Sequence, residues 1–493
     1  MSEALRTEKL LLSKETIPAD KGSIAGIGTL TRNSAIAMAG GLLSQGLKFV
    51  VYLYIARAFS SSDFGSVAFA NAINAFVYVI SQFGFPVFGA RSVARSGRVE
   101  PQLLLAIACC RAGLAVLGTI AALGFLVLTP GATARDYALV GFFGLSNVPL
   151  AGLFDWVFQG LNRQSVSAVL NVIWQFFWLA FTYIGARAWN NIVVVPVALL
   201  AAGVIASLAG ILWIRLSNVM EPSRLSANGL REQIWKTMST GHLLGTGTIL
   251  LNILIWTDTI VVRLQLGDRA VGWYAAGNRV AMAVSMLSNF YMQAAFPLLC
   301  GTSVTNLAAF QGHFQRAYNE LMLLFLPGSV WGLFYAPAVI LFLFKRQEYL
   351  AAVPVFRIFQ LTLPLVVINL LFGTGILLAF HEDRAYRRIL IAAVVVLFVL
   401  CPLFARLGGI QGAALATLTA YAVSVVLFHI RGRRLVQPSH WEALALPALG
   451  GLAAALLGLL VHAGLFLAIA ILVIAYAGMF LSYRRRLLAG STA

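Results

Sequence analysis

The stretch Phe64–Asn74 reads FGSVAFANAIN, and the stretch Val271–Ala281 reads VGWYAAGNRVA. The two stretches share three residues at equivalent places, which are Gly65 with Gly272, Ala68 with Ala275, and Asn71 with Asn278. Each stretch follows an apolar segment that ends in a short polar turn. The similarity predicts an internal repeat whose copies lie 207 residues apart. The alternative is chance similarity, because membrane helices are generally rich in small residues.

The composition of the chain predicts a membrane protein. Of its 493 residues, 60% are hydrophobic and only 11% are charged. A soluble protein needs more charge on its surface than this. Only helices and closed barrels satisfy every backbone polar group in lipid. The apolar runs are continuous, whereas barrel strands alternate, so we predict transmembrane helices.

The apolar runs define fourteen candidate spans of about 20 residues each. They lie near residues 33–55, 65–88, 103–128, 137–158, 165–186, 192–214, 238–262, 271–297, 320–343, 356–380, 388–405, 410–430, 443–462 and 464–482. The last two form a single apolar stretch broken near His462, so we expect 12–14 spans. The predicted fold class is an all-α polytopic membrane protein.

The distribution of charge predicts the orientation. The net charge is +18, which in a soluble protein would suggest a nucleic-acid partner. Lys and Arg are concentrated in the loops on the side of the N-terminus, as expected for cytoplasmic loops. We therefore predict that both termini are cytoplasmic and that no nucleic acid is bound. The polar N-terminus lacks the short apolar run of a signal peptide.

The longest polar break divides the predicted spans into two lobes. The predicted divisions are a cytoplasmic tail (1–32), an N-lobe (33–214), a cytoplasmic linker (215–237), a C-lobe (238–430), and two extra spans with a basic tail (431–493). The linker contains LREQIWKTM, which is typical of an amphipathic helix. The repeated stretches begin spans two and eight, so both run in the same direction. Two pseudo-symmetric six-helix lobes of this kind are a known transporter plan, with the substrate site between the lobes.

Polar side chains form a stripe on one face of each of four spans. The stripes comprise Gln45, Lys48 and Tyr52; Asn71, Asn74, Tyr78 and Gln82; Thr248, Asn252, Trp256, Thr259 and Arg263; and Asn278, Ser285, Asn289 and Gln293. For a single Asn, hydrogen bonding within a helix bundle is the simpler interpretation. Four stripes in symmetry-related places favour a hydrophilic cavity between the lobes.

Charged residues deep within spans are costly and usually face a cavity or a partner. Lys48 and Arg279 lie too deep to reach the surface easily, so we expect them in the cavity. We expect Asp258 to pair with one of them. The side chains of Arg57, Arg263 and Arg269 are expected to reach the outer surface.

For Arg111 in span three, the sequence does not decide between a side chain that reaches the membrane surface and one that is buried. The excess of buried cations favours an anionic ligand, particularly phosphate.

The motifs of catalysis, metal binding and ATP binding are not evident in the sequence. The sequence HED at His381–Asp383 has no further metal ligands nearby, and the four cysteines have no metal spacing. The chain contains no GxxxxGK[ST] loop, so the expected energy source is an ion gradient or a partner. We predict a protein that is not an enzyme and that needs no cofactor.

Four motifs in order resemble the bacterial polysaccharide flippases of the O-antigen and exopolysaccharide type. They are the Leu30–Arg95 region with Asn33, Gly46, Asp63–Gly65 and Gly84–Arg95; FDWVFQGLNR at Phe154–Arg163; TDTIVVRLQLGDRAVGWYAAGNRV at Thr257–Val280; and IQGAALATLTAY at Ile410–Tyr421. The resemblance covers most of residues 30–430. It implies a V-shaped cavity between two six-helix lobes, as in the multidrug and oligosaccharidyl-lipid exporters.

The resemblance also implies an activity. This is translocation of an undecaprenyl-pyrophosphate-linked oligosaccharide across the bacterial inner membrane, coupled to a proton or sodium gradient. Membrane lipids and the polysaccharide polymerase or assembly machinery are the implied partners. Asp258, with Arg57, Arg263 and Arg111, is a candidate for ion coupling or for salt bridges. A multidrug exporter and a peptidoglycan-precursor flippase are the alternatives, although a drug exporter for cations would want buried carboxylates.

Overall fold

The computed structural model describes residues 24–222, 226–241, 246–436 and 440–490. Most of the predicted cytoplasmic tail therefore lies outside the described residues. Residues 24–222 contain nine helices: α1 (Ile24–Ala58), α2 (Ser61–Gln82), α3 (Phe85–Ser96), α4 (Pro101–Val127), α5 (Ala134–Leu145), α6 (Asn147–Leu150), α7 (Asp155–Gly160), α8 (Gln164–Trp189) and α9 (Val194–Leu216).

The linker and the second half are also helical. They contain α10 (Ala227–Gly241), α11 (Thr246–Leu266), α12 (Asp268–Thr305), α13 (Leu307–Phe344), a 3₁₀ helix (Gln347–Ala352), α14 (Val353–Leu370), a π-helix (Leu371–Leu378), α15 (Asp383–Gly432), α16 (His440–Leu460) and α17 (Leu465–Gly490). Helix α15 bends at Gly408 and Gly409, whose backbone is not helical. This bend separates the predicted spans eleven and twelve.

The described residues contain twelve helical segments that are long and apolar enough to cross a membrane. Helix α12 additionally covers the predicted eighth span, and the bend in α15 divides one of the twelve segments in two. The predicted all-α membrane fold is therefore confirmed. The predicted break near His462 is also present, because α16 ends at Leu460 and His462 has a φ of 49°.

The predicted fourth span is present, but it is not a single helix. The structure divides residues 134–160 into three helices, and Phe154 adopts a left-handed conformation with a φ of 53°. Polar side chains satisfy the backbone at the break: Ser207 donates to the carbonyl oxygen of Pro149, and Asn147 donates to the carbonyl oxygen of Gly144. Broken helices at membrane depth are tolerated where protein covers them in this way.

The linker helix and the last two helices attach to different lobes. Helix α10, which confirms the predicted amphipathic helix, packs on α4 of the N-lobe. Helices α16 and α17 pack on α13 of the C-lobe. The hydroxyl of Tyr476 donates to the carbonyl oxygen of Leu324 and accepts from the amide of Gly328, beside the proline at position 327. Helix α17 therefore binds backbone groups of α13 on both sides of Pro327.

The two repeated stretches contact each other where α2 crosses α12. A Cβ on Gly65 would overlap the carbonyl oxygen of Asp268, and a Cβ on Gly272 would overlap the carbonyl oxygen of Ser61. Ser61 and Asp268 are the first residues of their helices, so the contact is reciprocal, as a two-fold axis requires. Small residues allow two helix backbones to approach this closely. The contact supports the predicted repeat, and we call this part of the molecule the Gly65 end (residues 56–65, 263–272 and 343–349).

Candidate functional site

A cavity lies between the lobes, bounded by α1 and α2 on one side and by α11 and α12 on the other. It is lined by Gln45, Lys48, Phe49, Tyr52, Ala68, Ile255, Trp256, Thr259, Ala275, Asn278, Arg279, Met282, Ala283, Ser285, Met286 and Asn289. Six of the predicted binding residues are among them, namely Gln45, Lys48, Tyr52, Asn278, Arg279 and Asn289. The cavity lies just below the contact between Gly65 and Gly272, because the small residues Ala68 and Ala275 follow those glycines by one helical turn.

The charge of the cavity wall is positive. Lys48 comes from α1 and Arg279 from α12, so each lobe contributes one cation. None of the described residues that line the cavity is acidic. Two cations without a carboxylate partner in a site of limited solvent access are unfavourable until an anion binds. The wall is therefore suited to a negatively charged group.

The guanidinium of Arg279 is held between two aromatic rings. Its carbon lies 4.1 Å from the ring centroid of Tyr52 and 5.0 Å from that of Trp256. Such contacts orient an arginine without neutralising its charge. Tyr52 belongs to the N-lobe and Trp256 to the C-lobe, so Arg279 is positioned by both halves of the molecule.

Two amide side chains of the cavity wall each carry a hydrogen-bond acceptor that no described residue uses. The Oδ1 atom of Asn278 and the Oε1 atom of Gln45 are buried and have no hydrogen-bond partner among the described residues. Buried polar atoms usually have partners. If these side chains turn toward the cavity, a ligand with hydroxyl groups would supply the partners.

Three of the predicted cavity residues do not line this cavity. Asn74 accepts a hydrogen bond of 2.7 Å from Asn147 inside the N-lobe. Asn252 donates to the carbonyl oxygen of Thr248 in its own helix, and Asn71 is half-buried away from the cavity wall. The physical reason is that only part of each polar stripe faces the cavity. The other polar side chains of the stripe form hydrogen bonds inside their own lobe.

The expected pairing of Asp258 with Lys48 or Arg279 is wrong. Asp258 is 1% exposed and faces the interior of the C-lobe. Its Oδ2 atom accepts from the hydroxyls of Tyr274 (2.6 Å) and Thr417 (3.0 Å), and its Oδ1 atom accepts from the amide and hydroxyl of Thr259. All four donors are uncharged. Asp258 is thus a buried carboxyl group directly behind the cavity wall, next to the lining residue Thr259.

Arg263 does not reach the outer surface, contrary to expectation. It is 8% exposed and forms ion pairs with Asp136 (3.4 Å) and Asp268. Asp136 lies in the N-lobe, so this pair joins the two lobes. Arg135, the neighbour of Asp136 in the sequence, forms a further ion pair with Asp63. A sequence pattern could have located the two acidic partners at helix N-termini. Asp63 and Asp136 each follow a Ser or Thr by three residues and complete capping boxes with Ser60 and Thr133.

Further hydrogen bonds join the lobes at the Gly65 end. Arg57, which is exposed as expected, donates from Nε to the carbonyl oxygen of Leu343 at 2.7 Å. The hydroxyl of Ser61 donates to Glu348 (3.1 Å). Tyr349 and Arg346 donate to the carbonyl oxygens of residues 56 and 59. Together with the glycine contact, these bonds close the cavity at the Gly65 end.

A second polar centre lies in the N-lobe at the break of the fourth span. Arg111 is 6% exposed, so it is buried rather than extended to the surface. Asp155 lies at this break and accepts hydrogen bonds from Ser167 (2.6 Å) and Asn171. Arg111 does not line the central cavity. Its predicted role in coupling or in a salt bridge stays a prediction.

Comparison with known proteins identifies the family. A family model described as "Polysaccharide biosynthesis protein" matches residues 30–303, which is more than half of the chain. The chain belongs to this family. A protein of Escherichia coli (strain K12) described as an O-antigen transporter is 19% identical over 403 residues, covering 79% of this chain and 94% of that protein. The predicted membership of the polysaccharide flippases in the multidrug/oligosaccharidyl-lipid/polysaccharide exporter superfamily is confirmed.

Solved structures share the fold. The lipid II flippase MurJ in an inward closed conformation matches with a TM-score of 0.70, 14% identity, and coverage of 92% of this chain and 100% of that one. An inward-facing multidrug resistance MATE transporter matches with a TM-score of 0.63, 12% identity, and coverage of 81% and 97%. At these identities the likeness concerns the fold alone.

Substituting Arg263→Gln is expected to open the Gly65 end. It leaves Asp136 buried without its cation, and breaking a buried ion pair costs about 3–5 kcal/mol. Spin labels at positions 62 and 266, in a variant without native cysteines, would report a longer distance between the lobes. The matched control is Arg269→Gln, since Arg269 is exposed and stacks on Trp273 of its own helix. An unchanged distance in the Arg263 variant would contradict a closing role for this ion pair.

Proposed function

We propose that this protein is a flippase for a polyprenyl-linked oligosaccharide of a surface polysaccharide. The substrate is an oligosaccharide linked through a pyrophosphate to undecaprenol, and the protein moves it across the bacterial inner membrane by alternating access. The observation that carries this proposal is the cavity between the lobes, with two cations and without an acidic lining residue among those described.

Each chemical part of this substrate has a counterpart in the structure. The pyrophosphate suits Lys48 and Arg279, because charge-assisted hydrogen bonds to phosphate are strong. The sugar hydroxyls suit the unused acceptors of Gln45 and Asn278 once these side chains turn into the cavity. The polyprenyl chain stays in the bilayer. A cationic drug does not match this wall, which argues against multidrug export.

The proposed orientation places the Gly65 end at the periplasm. The opposite end carries most of the arginines, including the clusters at 91–98, 384–388 and 431–434. Cytoplasmic ends of membrane proteins are rich in Lys and Arg. The bonds at the Gly65 end then hold the cavity closed to the periplasm, and rocking of the lobes would break them and expose the site to that side.

Asp258 is the proposed site of coupling to a proton or sodium gradient. It is the buried carboxyl group nearest the cavity wall, and it has no cationic partner among the described residues. A carboxyl group with only neutral hydrogen-bond donors can exchange a proton or a cation without breaking a salt bridge. Movement of Thr259 would transmit that change to the cavity.

Substituting Asp258→Asn is expected to lower transport by at least about tenfold while the protein remains folded, because the amide oxygen still accepts from Tyr274 and Thr417. Transport in vesicles with an imposed gradient and the thermal unfolding temperature should be measured together. Thr417→Val is the control, because it removes one hydrogen bond at about 1 kcal/mol but keeps the carboxyl group. If the Asp258 variant shows both a lower unfolding temperature and lower transport, the residue has a structural role and the proposed role in coupling is contradicted.

Deletion of the gene tests the proposed function directly. Lipid-linked sugars should accumulate on the cytoplasmic side of the membrane, and the surface polysaccharide should be lost. Expression of the wild-type chain should restore both. Unchanged glycolipids together with new sensitivity to cationic compounds would instead indicate drug export. If the deletion strain is not viable and accumulates peptidoglycan precursor, the substrate is the lipid-linked precursor of the cell wall.

A further inference from the structure

A second pocket, at the end of the molecule opposite the Gly65 end, contains positively charged side chains that are not part of the central cavity. It lies between the beginnings of α11 and α15. It is lined by Ile249, Leu250, Arg384, Arg387, Arg388 and Ile391. Three guanidinium groups thus share a pocket whose remaining walls are apolar. None of these residues lines the central cavity.

The three arginines lie on one face of α15, because their spacing of three and four residues matches the helical repeat. All three are exposed. In the described part of the chain, none of them forms an ion pair or a hydrogen bond. The neighbouring Glu382 is already paired with Arg431. The exposed Asp383 is the remaining acidic residue next to the three on this helix, so the pocket has a net positive charge.

The apolar side of the pocket leads toward the bilayer. Ile391 lies seven residues beyond Arg384, which is about 10 Å along a helix. Ile391, Val395 and Phe398 then form an exposed stripe on α15, with exposed fractions of 48%, 55% and 53%. Such a stripe on a membrane-spanning helix faces lipid. The pocket therefore combines a charged rim at the end of the helix with a wall that continues along its lipid-facing side.

The rule that cytoplasmic loops are rich in Lys and Arg does not explain why these three arginines share a pocket. That rule depends on the number of Lys and Arg residues near the membrane, wherever their side chains point. The arginines at positions 91, 95 and 98 at the same end satisfy this rule, and they lie outside the pocket formed by α11 and α15. In contrast, Arg384, Arg387 and Arg388 converge on a pocket with an apolar wall.

We propose that this pocket binds the phosphate group of an anionic membrane lipid. Arginine is well suited to phosphate because its planar group donates two parallel hydrogen bonds. Basic pockets between transmembrane helices at the cytoplasmic side commonly bind lipid head groups. The glycerol and upper acyl chain lie against Ile249, Leu250 and Ile391, and the chain continues along Val395 and Phe398. The bound lipid bridges α11 and α15, the two helices that also hold Asp258 and Thr417.

Native mass spectrometry of the full-length protein would test this site, with phosphatidic acid as the probe and phosphatidylcholine as the neutral comparison. The triple variant R384Q/R387Q/R388Q is expected to lose at least about tenfold in affinity for phosphatidic acid, since it removes all three charge-assisted contacts to the phosphate. The matched control is R91Q/R95Q/R98Q, which removes the same charge from the same end and should leave that affinity nearly unchanged. Equal losses in both variants would overturn the proposal, because they would indicate attraction by charge alone.

A second variant separates a lipid ligand from free phosphate and does not depend on the stability of the triple variant. Ile391→Trp fills the apolar wall and keeps all three arginines. It should weaken the binding of phosphatidic acid, and inorganic phosphate should compete poorly with the lipid in the wild-type protein. Binding of phosphatidic acid that is unaffected by Ile391→Trp, or full displacement by equimolar inorganic phosphate, would show that the site does not recognise a lipid.

Discussion

Replacing Gly65 by valine is expected to keep the two lobes apart at the Gly65 end and to lower transport by about tenfold or more. Even a Cβ on this residue would overlap the carbonyl oxygen of Asp268. That oxygen belongs to the backbone, so the overlap is relieved only when α2 and α12 separate. Overpacking of this kind costs about 1–3 kcal/mol, and each 1.4 kcal/mol changes a conformational equilibrium about tenfold.

The reciprocal contact makes this prediction unusually specific. Gly272→Val should have the same effect, because its Cβ would overlap the carbonyl oxygen of Ser61. Once either valine has separated the helices, the second has little left to disturb, so the double variant should be hardly worse than each single one.

Transport of lipid-linked sugar and the distance between spin labels at positions 62 and 266 should be measured for all three variants. Gly113→Val in α4 is the control, since nothing lies within 4 Å of a Cβ on Gly113. Additive losses, or a normal distance between the labels, would contradict the role assigned to the glycine contact.

Substituting Lys48→Ala is expected to abolish transport while the amount of protein in the membrane stays normal. Lys48 is one of two cations on a cavity wall without acidic lining residues among those described. Removing it deletes a contact to the proposed pyrophosphate that contributes about 1.5–3 kcal/mol, and leaves Arg279 to bind the group alone. The folded state should not suffer, because Lys48 is half-buried and forms no ion pair among the described residues.

Transport of the lipid-linked sugar in reconstituted vesicles is the direct measurement for this prediction. Lys48→Arg should retain much of the activity, because it keeps the charge. Lys345→Ala removes an exposed lysine at the Gly65 end and serves as the control for loss of charge. Normal transport by the Lys48→Ala variant would refute the role of this residue.

The sequence pattern predicts the membrane fold well, because lipid requires long apolar helices and this requirement is local. It does not predict the break in the fourth span. Pro149 and Gly152 are compatible with either a bend or a break, and the choice depends on Ser207 and Asn74 elsewhere in the chain. Such contacts between distant residues are not visible in a local pattern.

The same distinction applies to the candidate site. The depth of Lys48 and Arg279 within their spans was sufficient to predict that they face the cavity. Helical periodicity gives the face of a residue but not its neighbour, so it failed for Asp258, whose partner Thr417 lies 159 residues away. Arg263 was misjudged for the same reason, since Asp136 lies 127 residues away.

The stacking of Arg279 on Tyr52 links anion affinity to the opening of the lobes. Arg279 belongs to α12 and Tyr52 to α1, so a movement that separates the lobes takes the cation away from this ring. A cation–π contact contributes about 0.5–2 kcal/mol. Released from Tyr52 but still beside Trp256 of its own lobe, the guanidinium is expected to turn further toward a bound anion, so the state with separated helices should gain affinity for the anion. By thermodynamic reciprocity, a bound anion favours separation to the same extent. The arrival of the negatively charged head group would then itself promote the next step of the cycle.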